Sequence, residues 1–236
     1  MPYLSRVQYP AIICALTACL GARAVEHRPE PKTLMSELAK LVVREDFTQA
    51  PARPWQVKEP LWETLEGAIK ATHRTPFREH HGPLLVRPVS LKNVIVEVSF
   101  KLEGKARLTV HLNKESGHLC RAHVRSDAFY VIRRDSGGDK GTRLDSRETP
   151  IAAGHWHTLI LEVCGREMLA SLDGKEVIFG ARDDLDQPKT SLILEAEAGS
   201  VWFKNLRVWE AAPNRNWEGT RAALLRERQA RRHAGD

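Results

Sequence analysis

From Leu41 to Glu210, apolar and polar residues alternate in short runs, and Gly, Asp, Asn and Pro break the runs at roughly ten-residue spacing. The alternation predicts strands at Val42–Phe47, Trp62–Ala68, Leu84–Val86, Val94–Leu102, Ala106–Leu112, Leu119–Arg125 and Phe129–Arg134. It continues through His155–Val163, Met168–Leu172, Glu176–Phe179, Ser191–Glu195 and Val201–Trp209. The clearest stretch is Gly154 to Val177, where two alternating strands run into a tight Asp173-Gly174 turn and a third strand. No long helical period interrupts the series, so alternation of strands with helices is excluded. The expected fold is all-β, a sandwich or jelly roll of two antiparallel sheets.

The flanks differ. Residues 25–40 carry Pro29, Pro31 and mixed charge, and read as a linker ending in a short helical piece over Leu34 to Leu41. From Asn214 to Asp236, Trp217, Leu224 and Leu225 fall at i, i+7 and i+8 among arginines, which predicts a short C-terminal helix. That helix is either simply solvated or a basic contact for an anionic surface or a partner. The expected organisation is thus 1–24, 25–40, a sandwich domain over 41–210, and a basic tail over 211–236.

Composition narrows the class without naming a chemistry. The 236 residues, 42% hydrophobic and 28% charged, are ordinary for one soluble domain. The net charge of +6 is a mild excess, and without a zinc finger, an RNP-type motif or a long Lys/Arg block it does not point to nucleic acid. At the N-terminus, Arg6, the apolar run Ala11 to Ala22 and the small-x-small Ala22-Arg23-Ala24 form an export-signal pattern over residues 1–24. The apolar run is too short for a bilayer span of about 20 residues, so no transmembrane segment is expected. Leu16-Thr17-Ala18-Cys19 also resembles a lipobox, with Cys19 as the lipidated residue. Either pattern implies a secreted or periplasmic protein. Cys120 and Cys164 then remain, as a disulfide or as two buried thiols.

Alternation also sorts faces. In three successive strands Val94, Val96, Val98, Phe100 and Leu102, then Ala106, Leu108, Val110 and Leu112, then Cys120, Ala122 and Val124 point to the core. If these strands are neighbours, Glu97, Thr109, His111, Arg121, His123 and Arg125 gather on one outer face. Planar donors beside a carboxylate suit sugar hydroxyls, although a solvated outer face is the ordinary alternative. Weaker candidates are the acidic turn Asp183-Asp184-Leu185-Asp186, which could hold Ca²⁺, and the pairs His80/His81 and His155/His157, which lack a third metal ligand. Neither a Gly-x-Ser-x-Gly motif nor a phosphate loop nor a dinucleotide fingerprint is present.

Several segments, in order, resemble the 3-keto-disaccharide hydrolase domain family over residues 42–210. These are Glu45-Asp46-Phe47, Trp62 through Gly67 to Ile69, Ser116-Gly117 with Arg121, Gly154-His155-Trp156-His157-Thr158, Asp173-Gly174, and the closing Val201-Trp202-Phe203-Lys204-Asn205-Leu206-Arg207-Val208. The resemblance implies the concanavalin A-like lectin/glucanase jelly roll and an activity on oxidised disaccharides. Departures fall at polar positions. The strand Phe129-Tyr130-Val131-Ile132 lacks the family's Glu-x-Gln, and Glu195 and Glu197 replace its Gln and His.

Two functions follow as expectations. One is a glycan-binding module with a degenerate site, in which Arg121, Thr109 and Arg125 contact the sugar. The other is a glycosidase on 3-keto-disaccharides, as the resemblance implies, with His111 or His123 as base, Glu97 as its partner or the acid, and Arg121 on the developing enolate. No cofactor is expected in either case beyond a possible divalent metal such as Ca²⁺.

Overall fold

Fifteen strands, β1 (Ser36–Glu45), β2 (Gln56–Lys58), β3 (Trp62–Leu65), β4 (Ala68–Thr72), β5 (Leu84–Leu91), β6 (Val94–Leu102), β7 (Arg107–Lys114), β8 (Gly117–Val124), β9 (Ala128–Arg134), β10 (Gly141–Glu148), β11 (His157–Cys164), β12 (Glu167–Leu172), β13 (Glu176–Ala181), β14 (Lys189–Glu197) and β15 (Ser200–Pro213), precede one helix, α1 (Trp217–Ala234). They are seen in a computed structural model that describes residues 28–58, 61–73, 82–134 and 141–234. The chain divides into residues 1–30 and 31–236, and every one of these elements belongs to the second unit. The export-signal pattern, Cys14, Cys19 and the His80/His81 pair lie outside the described residues.

The strands form two antiparallel sheets. The first has the order β13-β12-β11-β6-β15-β4-β3, with β1 also on β15; the second has the order β10-β9-β8-β7-β14-β5-β2. Val96, Val98, Phe100 and Leu102 of β6 and Phe203 of β15 face Leu108, Val110, Leu112, Ala122 and Val124 of β7 and β8 in one apolar core. Phe100, Phe203 and Leu108 are wholly buried, and full burial of such a side chain stabilises by about 1.5–3 kcal/mol. The alternation read from the sequence therefore has the right phase across 94–124 except at Leu119, which alternation puts outside but which joins the core where the β7–β8 pairing shifts register.

Local chemistry fixes the corners. Leu65 pairs with Ala68, so Glu66 (φ 51°) and Gly67 (φ 71°) form a two-residue hairpin with both residues left-handed. What reads as one strand from Trp62 to Ala68 is thus the start of a hairpin. At one border the sheets meet directly. Phe179 N–H of β13 donates to Asp145 Oδ2 of β10 at 2.9 Å, Arg147 pairs with Glu176, and Gly180 lies against Leu144 so closely that a Cβ would sit 2.6 Å from that side chain.

Two flanking expectations change. Residues 34–41 do not make a helical piece: β1 starts at Ser36 and pairs with β15 from Ser36↔Pro213 to Glu45↔Leu206. β4 uses the edge of β15 only over residues 200–203, so β1 takes the backbone left unpaired beyond it, and pairing overrides local propensity. Its start is pinned by Glu162, whose carboxylate accepts the backbone N–H groups of Leu34 (2.9 Å), Met35 (3.0 Å) and Ser36 (2.7 Å). Burial nevertheless pushes the Glu162 carboxyl above its ordinary range.

At the other end α1 forms, but it is docked rather than merely solvated. Trp217 packs edge-on to Phe179 (5.6 Å, 84°) and its Nε1 donates to Glu167 at 2.8 Å. Arg221 pairs with Glu167 at 3.3 Å and Arg228 with Asp145 at 2.5 Å. Leu224 packs with Trp217, whereas Leu225 stays exposed. Cys120 and Cys164 are both free thiols, and burial pushes the Cys120 thiol up to about 12.

Candidate functional site on the outer face of the second sheet

β7 lies between β14 and β8, and the register sets two rows across the outer face. Glu195, Thr109, His123 and Tyr130 make one row, and Ile193, His111, Arg121 and Ile132 the next. Period-2 alternation puts all eight on the side away from the core. Four of the predicted residues, Thr109, His111, Arg121 and His123, are therefore brought together.

Diagonal contacts stitch the rows into a network. His111 Nε2 lies 2.6 Å from Glu195 Oε2, and the other oxygen of Glu195 accepts the Gly82 N–H at 3.1 Å. The Thr109 hydroxyl donates to Glu197 Oε1 (3.2 Å) and lies 2.8 Å from His123 Nδ1. With its proton on Glu197, Thr109 accepts from His123, so Nδ1 carries hydrogen and Nε2 the lone pair. Arg107 pairs with Glu197. The His123 ring stacks on Tyr130 (4.7 Å, 22°), and the Arg143 guanidinium lies over the same tyrosine at 4.7 Å.

Thr109, His111, His123 and Glu195 are buried, and Arg107, Arg121 and Glu197 are half-buried around them. The sequence suggests an open polar face; the structure has a shielded network with a charged rim. Desolvation, reinforced by the positive charges of Arg121, Arg107 and Arg134, lowers the His123 pKa from 6.5 to about 2. That ring stays neutral at physiological pH, and so weakly basic a nitrogen is a poor proton acceptor. Of the two candidate bases, His111 is the one with a carboxylate partner.

Glu97 is not in this cluster. β6 belongs to the first sheet, between β11 and β15, so Glu97 faces outward on the opposite side of the sandwich. There its carboxylate is buried and accepts from Arg207 Nε at 2.6 Å. Its phase was right and its sheet was wrong, because alternation defines inside and outside without defining neighbours. Arg125 lies one residue past β8, in the turn to β9, with its guanidinium bidentate on Asp127 (2.9 and 3.1 Å).

The carboxylates of the site are Glu195 and Glu197, which sequence reasoning noted only as departures from a family pattern. Their i, i+2 spacing after the core residues Leu192 and Leu194 already puts both on the outer face of β14. Tyr130 and Gly82 were likewise missed. A Cβ on Gly82 would meet the Ala196 carbonyl oxygen at 1.8 Å, so only glycine brings this backbone close enough to reach Glu195.

The other candidates have structural partners. Asp183 pairs with Arg166 (3.2 Å), Asp184 with Arg133 (2.8 Å) and Asp186 with Lys92 (3.2 Å), so the acidic turn is spread over three separate cations. His157 joins Asp173 Oδ2 (2.7 Å) to the Ala152 carbonyl (3.1 Å), and Asp173 also accepts the Thr158 N–H (2.8 Å). Among the described residues, no three His, Cys, Asp or Glu side chains converge in a way that could hold a metal ion. No helix among them is long and apolar enough to cross a membrane.

No family model matches the chain, and no curated protein matches it. Solved structures do. The CBM2 module of the Lactobacillus casei BL23 phage J-1 evolved Dit superposes with a TM-score of 0.62 at 12% identity, covering 76% of this chain and 98% of that one. The carbohydrate-binding module CBM66 from Bacillus subtilis gives 0.53 at 14% identity, covering 66% and 95%. An endo-β-1,3-glucanase from Pyrococcus furiosus gives 0.56 at 13% identity, covering 74% and 95%. At such identities the likeness establishes the fold alone, a jelly-roll β-sandwich of two antiparallel sheets.

Proposed function

We propose that the protein is a carbohydrate-interacting module, exported from the cytoplasm, that holds glycan against the outer face of the second sheet by binding rather than turnover. One observation carries this reading: each carboxylate of the face is closed on partners within the chain. Glu195 is held by His111 and Gly82, and Glu197 by Thr109 and Arg107. Such a network is rigid and internally neutralised. It differs from the two separated carboxyl groups that ordinary glycoside hydrolysis places on either side of the scissile bond. Arg121, half-buried beside His111, supplies planar donors toward a ligand. The fold's similarity to proteins named as carbohydrate-binding modules supports the same reading. Retention on a panel of immobilised glycans should be seen for the native protein and lost in Arg121→Ala; unchanged retention in a variant that melts like the parent would count against it.

A second reading has its own observation. The His111–Glu195 pair at 2.6 Å resembles a base with an orienting carboxylate. This suits hydrolysis of 3-keto-disaccharides, the activity implied by the sequence resemblance, because the ketone acidifies the neighbouring C–H and a single base suffices. In this scheme His111, one of the two bases first considered, keeps that role, and Glu195 takes the place considered for Glu97. Product release from a 3-keto-glucoside, abolished in His111→Gln, would establish turnover; no product from the native protein, with or without divalent metal, would remove it.

A further inference from the structure

The outer face of the first sheet carries a second, differently built surface. Lys70, Trp202 and Lys101 stand side by side on β4, β15 and β6, and Trp156 lies just before β11. The Lys101 ammonium lies 4.3 Å from the Trp202 ring and 5.3 Å from that of Trp156, and Lys204 lies 3.9 Å from Trp156. Glu103 is already committed, to Lys70 (2.9 Å) and to Trp202 Nε1 (2.5 Å). Lys101 pairs with no carboxylate among the described residues. An indole face offers no lone pair to an ammonium, so its N–H donors remain for a ligand.

Trp156 is 38% exposed although it is a large apolar side chain. Its backbone is held out deliberately. The Gly154 N–H donates to Leu102 O at 2.8 Å, and the neighbouring His157 is clamped between Asp173 and Ala152. An aromatic plate on a rigid turn loses little entropy on binding.

We propose that Trp156 and Lys101, with the buried Trp202 ring behind Lys101 and Lys204 beside Trp156, form a binding surface for an anionic polysaccharide whose pyranose rings carry carboxylates. The sugar's C–H face lies on the exposed part of Trp156, and the ring carboxylate takes charge-assisted hydrogen bonds from Lys101, with Lys204 adding positive charge beside it. This surface is on the opposite side of the sandwich from Arg121 and is independent of the function proposed above.

The test is binding of the full chain to polygalacturonate, followed by affinity gels and tryptophan fluorescence. Highly methyl-esterified pectin serves as the same backbone with its charge removed, and dextran sulfate as a polyanion without ring carboxylates. The native protein should bind polygalacturonate at low salt and the esterified polymer about tenfold more weakly. Trp156→Ala and Lys101→Gln should each weaken polygalacturonate binding by about tenfold, and Arg121→Ala should not. The proposal is overturned if the native protein does not bind polygalacturonate, or if both first-sheet variants bind like the parent. It is also overturned if Arg121→Ala abolishes binding, or if dextran sulfate binds as tightly and Trp156→Ala leaves polygalacturonate untouched. Melting temperature shows that each variant is folded, and loss of polyuronate binding with neutral-glycan retention intact separates this site from the other.

Discussion

Acidification should unfold this protein in part through one buried imidazole. His123 is 4% exposed, and its surroundings bring its pKa from 6.5 to about 2. In the unfolded chain the same ring titrates near 6.5. Below that pH the unfolded state binds a proton that the folded state refuses, so stability is lost as pH falls, over a window from about 6.5 toward 2. Each pH unit inside the window costs about 1.36 kcal/mol, so moving from pH 7 to pH 5 removes about 2 kcal/mol through this group alone. His123→Gln keeps a polar side chain beside Thr109 and cannot titrate. Urea unfolding of both proteins at pH 7 and pH 5 isolates the effect, because every other titrating group is common to the two. The native protein should lose about 2 kcal/mol more than the variant between these conditions. Equal losses would show that His123 protonates in place and that its neutrality in the folded state was wrongly deduced.

Other outcomes follow from the same coordinates. Arg207→Met leaves the Glu97 carboxylate buried without its closest partner and should cost about 3–5 kcal/mol in denaturant unfolding. Glu97→Gln should leave retention through Arg121 and any turnover at His111 unchanged, since it lies on the opposite side of the sandwich from both. Gly82→Ala must displace the backbone from Ala196 and break the bond to Glu195, so it should lower the melting temperature and glycan retention together. Trp217→Ala removes the edge-on contact with Phe179 and should cost about 3–5 kcal/mol, seen first as faster amide exchange in α1.

The fold was largely legible in the sequence because inward and outward positions depend only on neighbours two residues away. Val94 to Val124 were sorted correctly for that reason, apart from Leu119, where a shift in the β7–β8 register turns an outward position into the core. Which strand lies beside which is set by partners far along the chain, and no local pattern encodes it. β7 finds β14 some 80 residues later, across Ser191↔Asn113 to Glu197↔Arg107, whereas its sequence neighbour β6 goes to the other sheet. Hence Thr109, His111, Arg121 and His123 were grouped correctly and Glu97 was not. Glu195 and Glu197 were visible as outward carboxylates, but only strand order shows what they face. The Leu34–Leu41 reading failed similarly, since the edge of β15 that recruits β1 is invisible from a local window.

The junction of β10 with β13 bears on how the molecule avoids its own kind. Terminal strands of open sheets expose backbone donors and acceptors that invite another chain to add on, the first step toward fibrous aggregation. At this border Phe179 N–H is taken by the Asp145 side chain and the margin is bolted by Arg147 and Glu176. A charge reversal at Glu176 would reopen that seam, and self-association on storage, rather than any loss of ligand, would be its first symptom.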